Sequence, residues 1–165
     1  MIKLPDFNSY WVIPNQFMAG EYPGDDYNAV QSERRLDLLL EAGITTFIDL
    51  TEVNERVPYE PLVRERAGYY QIDITYHRFN IGDFGIPSKE KMRTILDTIN
   101  ETLANGGKPY VHCWAGMGRT GTVVGCYLAE NGLSGAEALQ KVNQLCYYAP
   151  SPQTAEQKNF VRDWQ

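Results

Sequence analysis

The sequence predicts a single α/β domain built on a central, mostly parallel five-stranded sheet with helices on both faces. Short runs of apolar and β-branched residues, each bounded by Gly, Pro, Asn or Asp, are typical of strands. Longer stretches with helical periodicity lie between them, and this alternation predicts βαβ crossovers and a sheet covered on its faces. With 165 residues, 43% of them hydrophobic, the chain can bury one core but is too short for two ordinary domains. Residues 1–165 are therefore expected to form one domain.

The elements follow in order along the chain. Five runs predict strands: Tyr10–Ile13, Phe17–Ala19, Ile44–Leu50, Tyr76–Ile81 and Tyr110–Cys113. Helical periodicity predicts six helices, with approximate bounds Asp26–Ala42, Pro58–Ala67, Ser88–Asn105, Gly118–Asn131, Ser134–Tyr147 and Ser151–Trp164. In open α/β sheets the ligand site lies beyond the carboxyl ends of the strands, and Cys113 stands at such an end.

Composition and charge exclude several classes of function. The formal net charge of -6 disfavours a nucleic-acid binder or a binder of anionic membranes, because both need a basic face, so any anion site must be local. The first residues, MIKLPDFNSYW, lack the apolar core of a signal peptide, and no apolar run reaches transmembrane length. Three cysteines predict free thiols in a reducing compartment. We expect a soluble, cytoplasmic protein, and the sequence leaves its oligomeric state open.

One stretch, VHCWAGMGRTG from Val111 to Gly121, carries the strongest chemical signal. As a strand, a tight loop and a helix start, it would bring successive backbone amides around one point and aim the helix N-terminus at it, which makes an anion cradle. The expected phosphate-binding residues are Trp114, Ala115, Gly116, Met117, Gly118 and Arg119. We expect Gly116 and Gly118 to adopt positive φ, so that the backbone can approach an oxyanion closely.

The side chains of this stretch add a nucleophile to the cradle. The guanidinium of Arg119 is a planar fork suited to two phosphate oxygens. A thiol at the base of the cradle, Cys113, would feel the helix dipole and the guanidinium, and both favour the thiolate. Thr120 can donate a hydrogen bond to that thiolate and so make it a better leaving group. The alternative for Cys113 is a buried, inert thiol, as Cys126 and Cys146 are expected to be from their apolar helical surroundings.

These residues match the signature H-C-x5-R-[S/T]-G through His112, Cys113, Arg119, Thr120 and Gly121. The chain thus resembles the cysteine-dependent protein tyrosine phosphatases, and within them the compact dual-specificity phosphatases, over most of its length. The resemblance implies hydrolysis of a phosphoester in two steps through a phosphocysteine, without a metal or any other cofactor. His112 is expected to support the loop by hydrogen bonding rather than to transfer a proton.

The resemblance also implies a general acid. Family members carry an aspartate on a mobile loop about thirty residues before the cysteine, and Asp83 in IGDFGIPS fits that placement and the Asp-x3-Pro pattern. Such an acid protonates the leaving oxygen and, as a carboxylate, then activates water. The alternative is a solvated turn aspartate. Asp73, in a strand-like alternation, and Asp49, inside an apolar strand, are poorer candidates.

Two glutamines near the carboxyl end, Gln153 and Gln157, resemble the loop that positions the hydrolytic water in the larger tyrosine-specific enzymes. A structural interpretation stays open, because Thr154-x-x-Gln157 is a capping box that starts a helix.

The residues expected around the cleft give weaker indications of the substrate. Phosphoinositide phosphatases of the superfamily place lysines between the cysteine and the arginine, whereas Trp114 and Met117 stand here, which argues against a multiply charged inositol headgroup. These two side chains can equally be core contacts. Tyr59 can stack on phosphotyrosine or have a structural role, and Glu52 and Glu55 can border the cleft, although solvated loop carboxylates are the favoured interpretation.

The leading hypothesis is a protein phosphatase acting on phosphotyrosine, with phosphoserine and phosphothreonine as further substrates and a phosphorylated protein as the partner. A hydrolase of small phosphoesters or inositol phosphates is the alternative enzyme. The alternative outside enzymes is a pseudophosphatase that binds phosphoproteins, which the joint presence of Cys113, Arg119 and Asp83 disfavours. A sulfur-transfer enzyme of the rhodanese type is disfavoured by the Gly-x-Gly-Arg-Thr-Gly ending and by Asp83.

Overall fold

The computed structural model describes residues 5–165, and within them a sheet of five strands in the order β1-β2-β5-β3-β4. The strands are β1 Ser9–Ile13, β2 Phe17–Gly20, β3 Thr46–Asp49, β4 Thr75–Arg78 and β5 Pro109–His112. Only the β1–β2 pair is antiparallel among the strand pairs of the described residues; β2–β5, β5–β3 and β3–β4 are parallel. The predicted α/β fold with a mostly parallel sheet is confirmed.

Six helices cover this sheet within the described part of the chain: α1 Ala29–Glu41, α2 Glu60–Tyr70, α3 Lys89–Ala104, α4 Arg119–Glu130, α5 Gly135–Leu145 and α6 Ala155–Arg162. Successive side chains of a strand point to opposite faces, which divides the core into two clusters. Phe47 and Tyr110 pack with residues of α1 and α2. Their neighbours Ile48 and Val111 pack with residues of α3 to α6 on the other face. Helices therefore lie on both faces, as predicted.

The observed bounds differ from the predicted ones mainly at β4. The apolar run predicts a strand to Ile81, but β4 ends at Arg78. In the described sheet β4 is an edge strand whose partner is β3, and that pairing stops where Asp49 meets Arg78. Helix α6 begins four residues later than predicted because Thr154 caps it.

The sheet order positions the loop that follows β5. Strand β5 lies between β2 and β3, so the carboxyl ends of these three parallel strands meet at one edge. Helix α4 starts directly beyond this edge at Arg119 and is buried from there to Tyr127. Among the helices of residues 5–165, none is long and apolar enough to cross a membrane.

Candidate active site

Cys113 follows the last residue of β5 and lies buried at a cavity of about 250 Å³. The cavity is lined by Asp83, Phe84, Cys113, Trp114, Ala115, Gly118, Arg119 and Gln153. The signature cysteine, its arginine and the proposed acid thus share one small cavity with Gln153, although they come from three separate segments. A larger, open groove of about 480 Å³ lies elsewhere, at the amino ends of β3 and β4, and includes Asp73.

The loop from Cys113 to Arg119, which we call the phosphate loop, depends on two glycines for different reasons. Gly116 has φ +72°, and a Cβ there would lie 2.4 Å from the carbonyl carbon of Gly20. Gly118 has φ −82°, so the expectation of positive φ is wrong at this position. Its reason is steric, because a Cβ would lie 2.6 Å from Oε1 of Gln153 and 2.9 Å from Nε2 of the buried Gln157.

Thr120 lies beside Cys113 in the first turn of α4. Its Oγ1 donates a hydrogen bond to Sγ of Cys113 over 3.1 Å, and both residues are buried. The N-terminus of α4 and this hydroxyl donor therefore lie next to the sulfur, and Cys113 lines the cavity.

Arg119 is held by a carboxylate that the sequence did not assign to the site. Its side chain is 1% exposed, and its Nη1 and Nη2 donate to Oε2 and Oε1 of Glu55 over 2.8 and 2.6 Å. Nη1 also donates to the carbonyl of Ile81 over 2.9 Å. The interpretation of Glu55 as a solvated loop carboxylate is wrong, because this pair withdraws it from solvent. Glu52 stays exposed, as expected.

The ion pair also sets the protonation of Glu55. Partial burial acts to raise the pKa of this carboxyl, but the hydrogen bonds from Arg119 and from the amide of Glu52 outweigh it. The pKa of Glu55 is therefore below its ordinary value. At neutral pH the carboxylate is charged and neutralises part of the guanidinium charge.

Asp83 lies in the loop between β4 and α3, with its side chain 46% exposed at the cavity. Its Oδ1 accepts a hydrogen bond from Nη2 of Arg119 over 3.2 Å and another from the amide of Phe84 over 3.0 Å. Phe84 adopts φ +61°, which is uncommon for a bulky residue, and its side chain is 58% exposed. This turn brings both the carboxylate and an aromatic ring to the cavity mouth.

His112 and Tyr59 form a buried pair behind the loop. Nε2 of His112 and the hydroxyl of Tyr59 are hydrogen-bonded over 2.6 Å, and Nδ1 lies 3.3 Å from the carbonyl oxygen of Cys113. Burial lowers the pKa of His112. Tyr59 is 2% exposed, so it cannot stack on a substrate ring and its structural interpretation is correct. Asp49 is also buried, where Thr51 and Tyr76 donate to its carboxylate.

The two glutamines have different surroundings. Gln157 is buried and forms the capping box of α6: its Oε1 accepts from the amides of Gln153 and Thr154, while its Nε2 donates to the carbonyl of Gly85. Its polar groups thus join α6 to the loop that carries Asp83. Gln153 is exposed and lines the cavity, so between the two it is the better placed to meet a water there.

Trp114 lies at the rim of the cavity and is 52% exposed, which excludes the core interpretation for this side chain. The guanidinium of Arg56 lies 4.9 Å from the centre of its ring and 4.8 Å from that of Tyr22. Asp26 accepts a hydrogen bond from Nε of Arg56 over 2.9 Å. Arg56 was not identified from the sequence; the only available signal was its place next to Glu55, beyond the carboxyl end of a strand.

The remaining cysteines have the surroundings expected of core residues. Cys126 and Cys146 are both buried and free, and burial raises the pKa of each thiol. Within residues 5–165, no group of three or more His, Cys, Asp or Glu side chains is arranged to hold a metal ion.

Comparison with known proteins gives three kinds of similarity. The family model described as "Polymorphic toxin system, DSP-PTPase phosphatase" matches residues 24–133. The uncharacterized protein MJECL20 of Methanocaldococcus jannaschii is 38% identical over 84 residues, which are 51% of this chain and 55% of that protein. The dual specificity protein phosphatase CDC14B of Mus musculus is 30% identical over 132 residues, 76% of this chain and 24% of that protein.

Among solved structures, the active form of Tk-PTP matches with a TM-score of 0.78 at 25% identity, covering 95% of both chains. The chain spans about half of one of the two curated relatives and about a quarter of the other.

Proposed function

The chain belongs to the DSP-PTPase phosphatase family, and from that premise we propose that it hydrolyses phosphate monoesters in proteins, with phosphotyrosine as the first substrate. Phosphoserine and phosphothreonine are further substrates of the same proposal. One observation carries it: the nucleophile Cys113, the anion-binding Arg119 and the carboxyl of Asp83 share one cavity of about 250 Å³. We extend the proposal to residues 1–165 as a single phosphatase domain.

In the first step, the Cys113 thiolate attacks phosphorus. The S–P bond forms as the ester P–O bond breaks, and Asp83 gives its proton to the leaving oxygen. The amides of the phosphate loop and the guanidinium of Arg119 hold the three remaining phosphate oxygens. The ion pair with Glu55 fixes the guanidinium before substrate arrives, so less ordering is needed at the moment of binding.

In the second step, Asp83 takes a proton from a water molecule whose oxygen attacks the phosphocysteine. The S–P bond breaks, phosphate leaves and the thiolate returns to its hydrogen bond with Thr120. That hydrogen bond favours the departing thiolate. In this proposal Gln153 orients the water, which its position at the cavity supports, and Gln157 acts only through the capping box and Gly85.

The cavity mouth supports an aromatic phosphoester over a multiply phosphorylated one. Phe84 and Trp114 present exposed aromatic surface there, and between Cys113 and Arg119 the loop carries no lysine to meet extra phosphates. The carboxylate of Glu55 stands close to the arginine and would repel additional negative charge. Three free, buried cysteines support a cytoplasmic location.

The test is phosphate release, in the presence of EDTA, from matched phosphotyrosine and phosphothreonine peptides and a soluble phosphoinositide. Cys113→Ser serves as the blank. We expect turnover of the phosphotyrosine peptide that EDTA does not reduce. Turnover of the phosphoinositide alone would replace the protein substrate with an inositol phosphate. Binding of the peptides without any turnover would instead indicate a phosphoprotein-binding module.

A further inference from the structure

The segment between α5 and α6, residues 146–154, contacts the outer side of the phosphate loop through two hydroxyl groups. The hydroxyl of Tyr148 donates to the carbonyl of Gly116 over 3.0 Å. Oγ of Ser151 donates to the carbonyl of Met117 over 2.5 Å. The carbonyl oxygen of Gly116, which Tyr148 also contacts, lies 3.9 Å from the sulfur of Cys146. Two consecutive peptide groups of the loop are thus held by one neighbouring segment.

Holding these carbonyls also orients the amides that follow them. In a planar trans peptide, the C=O of one residue and the N–H of the next point in opposite directions. A hydroxyl bound to the carbonyl of Gly116 therefore directs the N–H of Met117 to the other side of the chain. The hydroxyl bound to the carbonyl of Met117 likewise directs the N–H of Gly118 to the other side of the chain. Gly118 lines the cavity.

Gly121, the last residue of the signature, leaves space for the contact between Ser151 and the carbonyl of Met117. A Cβ at Gly121 would lie 2.0 Å from Oγ of Ser151, so a larger residue there would displace the hydroxyl. Both hydroxyl-bearing residues are shielded, Ser151 being fully buried and Tyr148 partly so. Burial raises the pKa of Tyr148, so the phenol keeps its proton and remains a donor at neutral pH.

We propose that Tyr148 and Ser151 are positioning residues that hold the amides of Met117 and Gly118 in the orientation that binds phosphate. They act on the phosphate through the backbone of the loop and do not touch it. This inference rests on the proposed function, since it concerns how the same site binds its phosphoryl group.

The test uses Tyr148→Phe and Ser151→Ala, each of which removes one oxygen atom. Tyr147→Phe is the matched control, because Tyr147 is a neighbouring, exposed tyrosine. For each protein, KM and kcat for an aryl phosphate, the inhibition constant of inorganic phosphate and the melting temperature are measured. We expect the phosphate inhibition constant and KM to rise by about three- to tenfold per hydroxyl, with kcat also reduced. The control should match the unsubstituted protein in every quantity.

A lower melting temperature with unchanged phosphate inhibition constant and KM would overturn the inference, since that pattern marks a structural role alone. If one variant does not fold, the other decides, because each hydroxyl holds a different peptide group. Turnover by the unsubstituted protein distinguishes a failure of the positioning role from a failure of the proposed phosphatase activity. With that turnover present, unchanged phosphate binding overturns only the positioning role, whereas absent turnover together with absent phosphate binding overturns both.

Discussion

Arg119 and Glu55 form a bidentate ion pair at the edge of the cavity, with their nitrogen and oxygen atoms 2.6 and 2.8 Å apart. The pair links the first residue of α4 to the loop after β3, two segments that are 64 residues apart in the chain. The guanidinium is almost completely buried, and its orientation is set by these two bonds together with those to the carbonyl of Ile81 and to Asp83. In the proposed mechanism, a phosphate oxygen then meets a donor that is already in place.

Replacing Glu55 by alanine tests this dependence. We expect Glu55→Ala to lower kcat/KM by about ten- to hundredfold, because the guanidinium loses its orientation. The free energy of unfolding should fall by about 1–3 kcal/mol, because a buried donor loses its acceptor. Glu52→Ala is the control, since Glu52 is exposed and its carbonyl contact with Arg78 uses only the backbone. Equal kcat/KM in the two variants would contradict the account.

The same pair predicts a pH dependence of stability. The pKa of Glu55 is lower in the folded protein than in the unfolded chain. Its contribution to the free energy of unfolding is therefore fully present at pH values above the unfolded pKa, about 4.3, and is lost as the pH falls through the folded pKa. Urea unfolding of the parent and of Glu55→Gln measures it. The free energy of unfolding of the parent should exceed that of Glu55→Gln by a constant amount near neutral pH, and this difference should shrink in the acid range. A difference that grows on acidification would refute this reading of Glu55.

Asp83 as the general acid predicts a dependence on the leaving group. Asp83→Asn should slow esters of poorly acidic alcohols by about 10²–10⁴-fold, but esters of acidic phenols much less, because only the former need the proton. The measurement is kcat/KM across a series of aryl and alkyl phosphates. Asp73→Asn is the control, since Asp73 lines the separate groove at the amino ends of β3 and β4. Equal losses across the series would indicate another proton donor.

Thr120 predicts a change in which step limits the rate. Without its hydrogen bond to Sγ of Cys113, the thiolate is a poorer leaving group, so Thr120→Ala should slow hydrolysis of the phosphocysteine by about tenfold. Rapid-mixing kinetics should then show a burst of released phenol. Thr120→Ser keeps the hydroxyl and should retain the parent rate. Absence of a burst in Thr120→Ala, or an equal defect in Thr120→Ser, would assign Thr120 a packing role.

Local sequence patterns predicted the part of the site that is built within one short stretch. Strand β5, the loop and the start of α4 are contiguous, so the approach of Thr120 to Cys113 follows from a strand that runs directly into a helix. The positive φ of Gly116 is likewise a local property of a tight turn. The fold class followed from the alternation of strand and helix patterns, which is also local.

The rest of the site depends on contacts between distant segments, which one sequence does not encode as a pattern. Glu55 was read as solvated because nothing near it in the chain requires a partner, while Arg119 lies 64 residues away. Gly118 was expected to need positive φ, but its requirement comes from the side chains of Gln153 and the buried Gln157 packed against it. Ser151 was predicted only as the start of the last helix; its contact with the phosphate loop gave no sequence signal, since it depends on the space beside Gly121.

The most direct test of the central claim is to identify the residue that carries the phosphoryl group during turnover. The parent and Thr120→Ala are mixed with an aryl phosphate, quenched in acid at the same time, within the burst of Thr120→Ala, and digested for mass spectrometry. The account predicts one added phosphoryl group on the peptide that contains Cys113, in larger amount in Thr120→Ala, and no label in Cys113→Ser. Turnover of phosphate without any label on that peptide, or with the label on another residue, would contradict it.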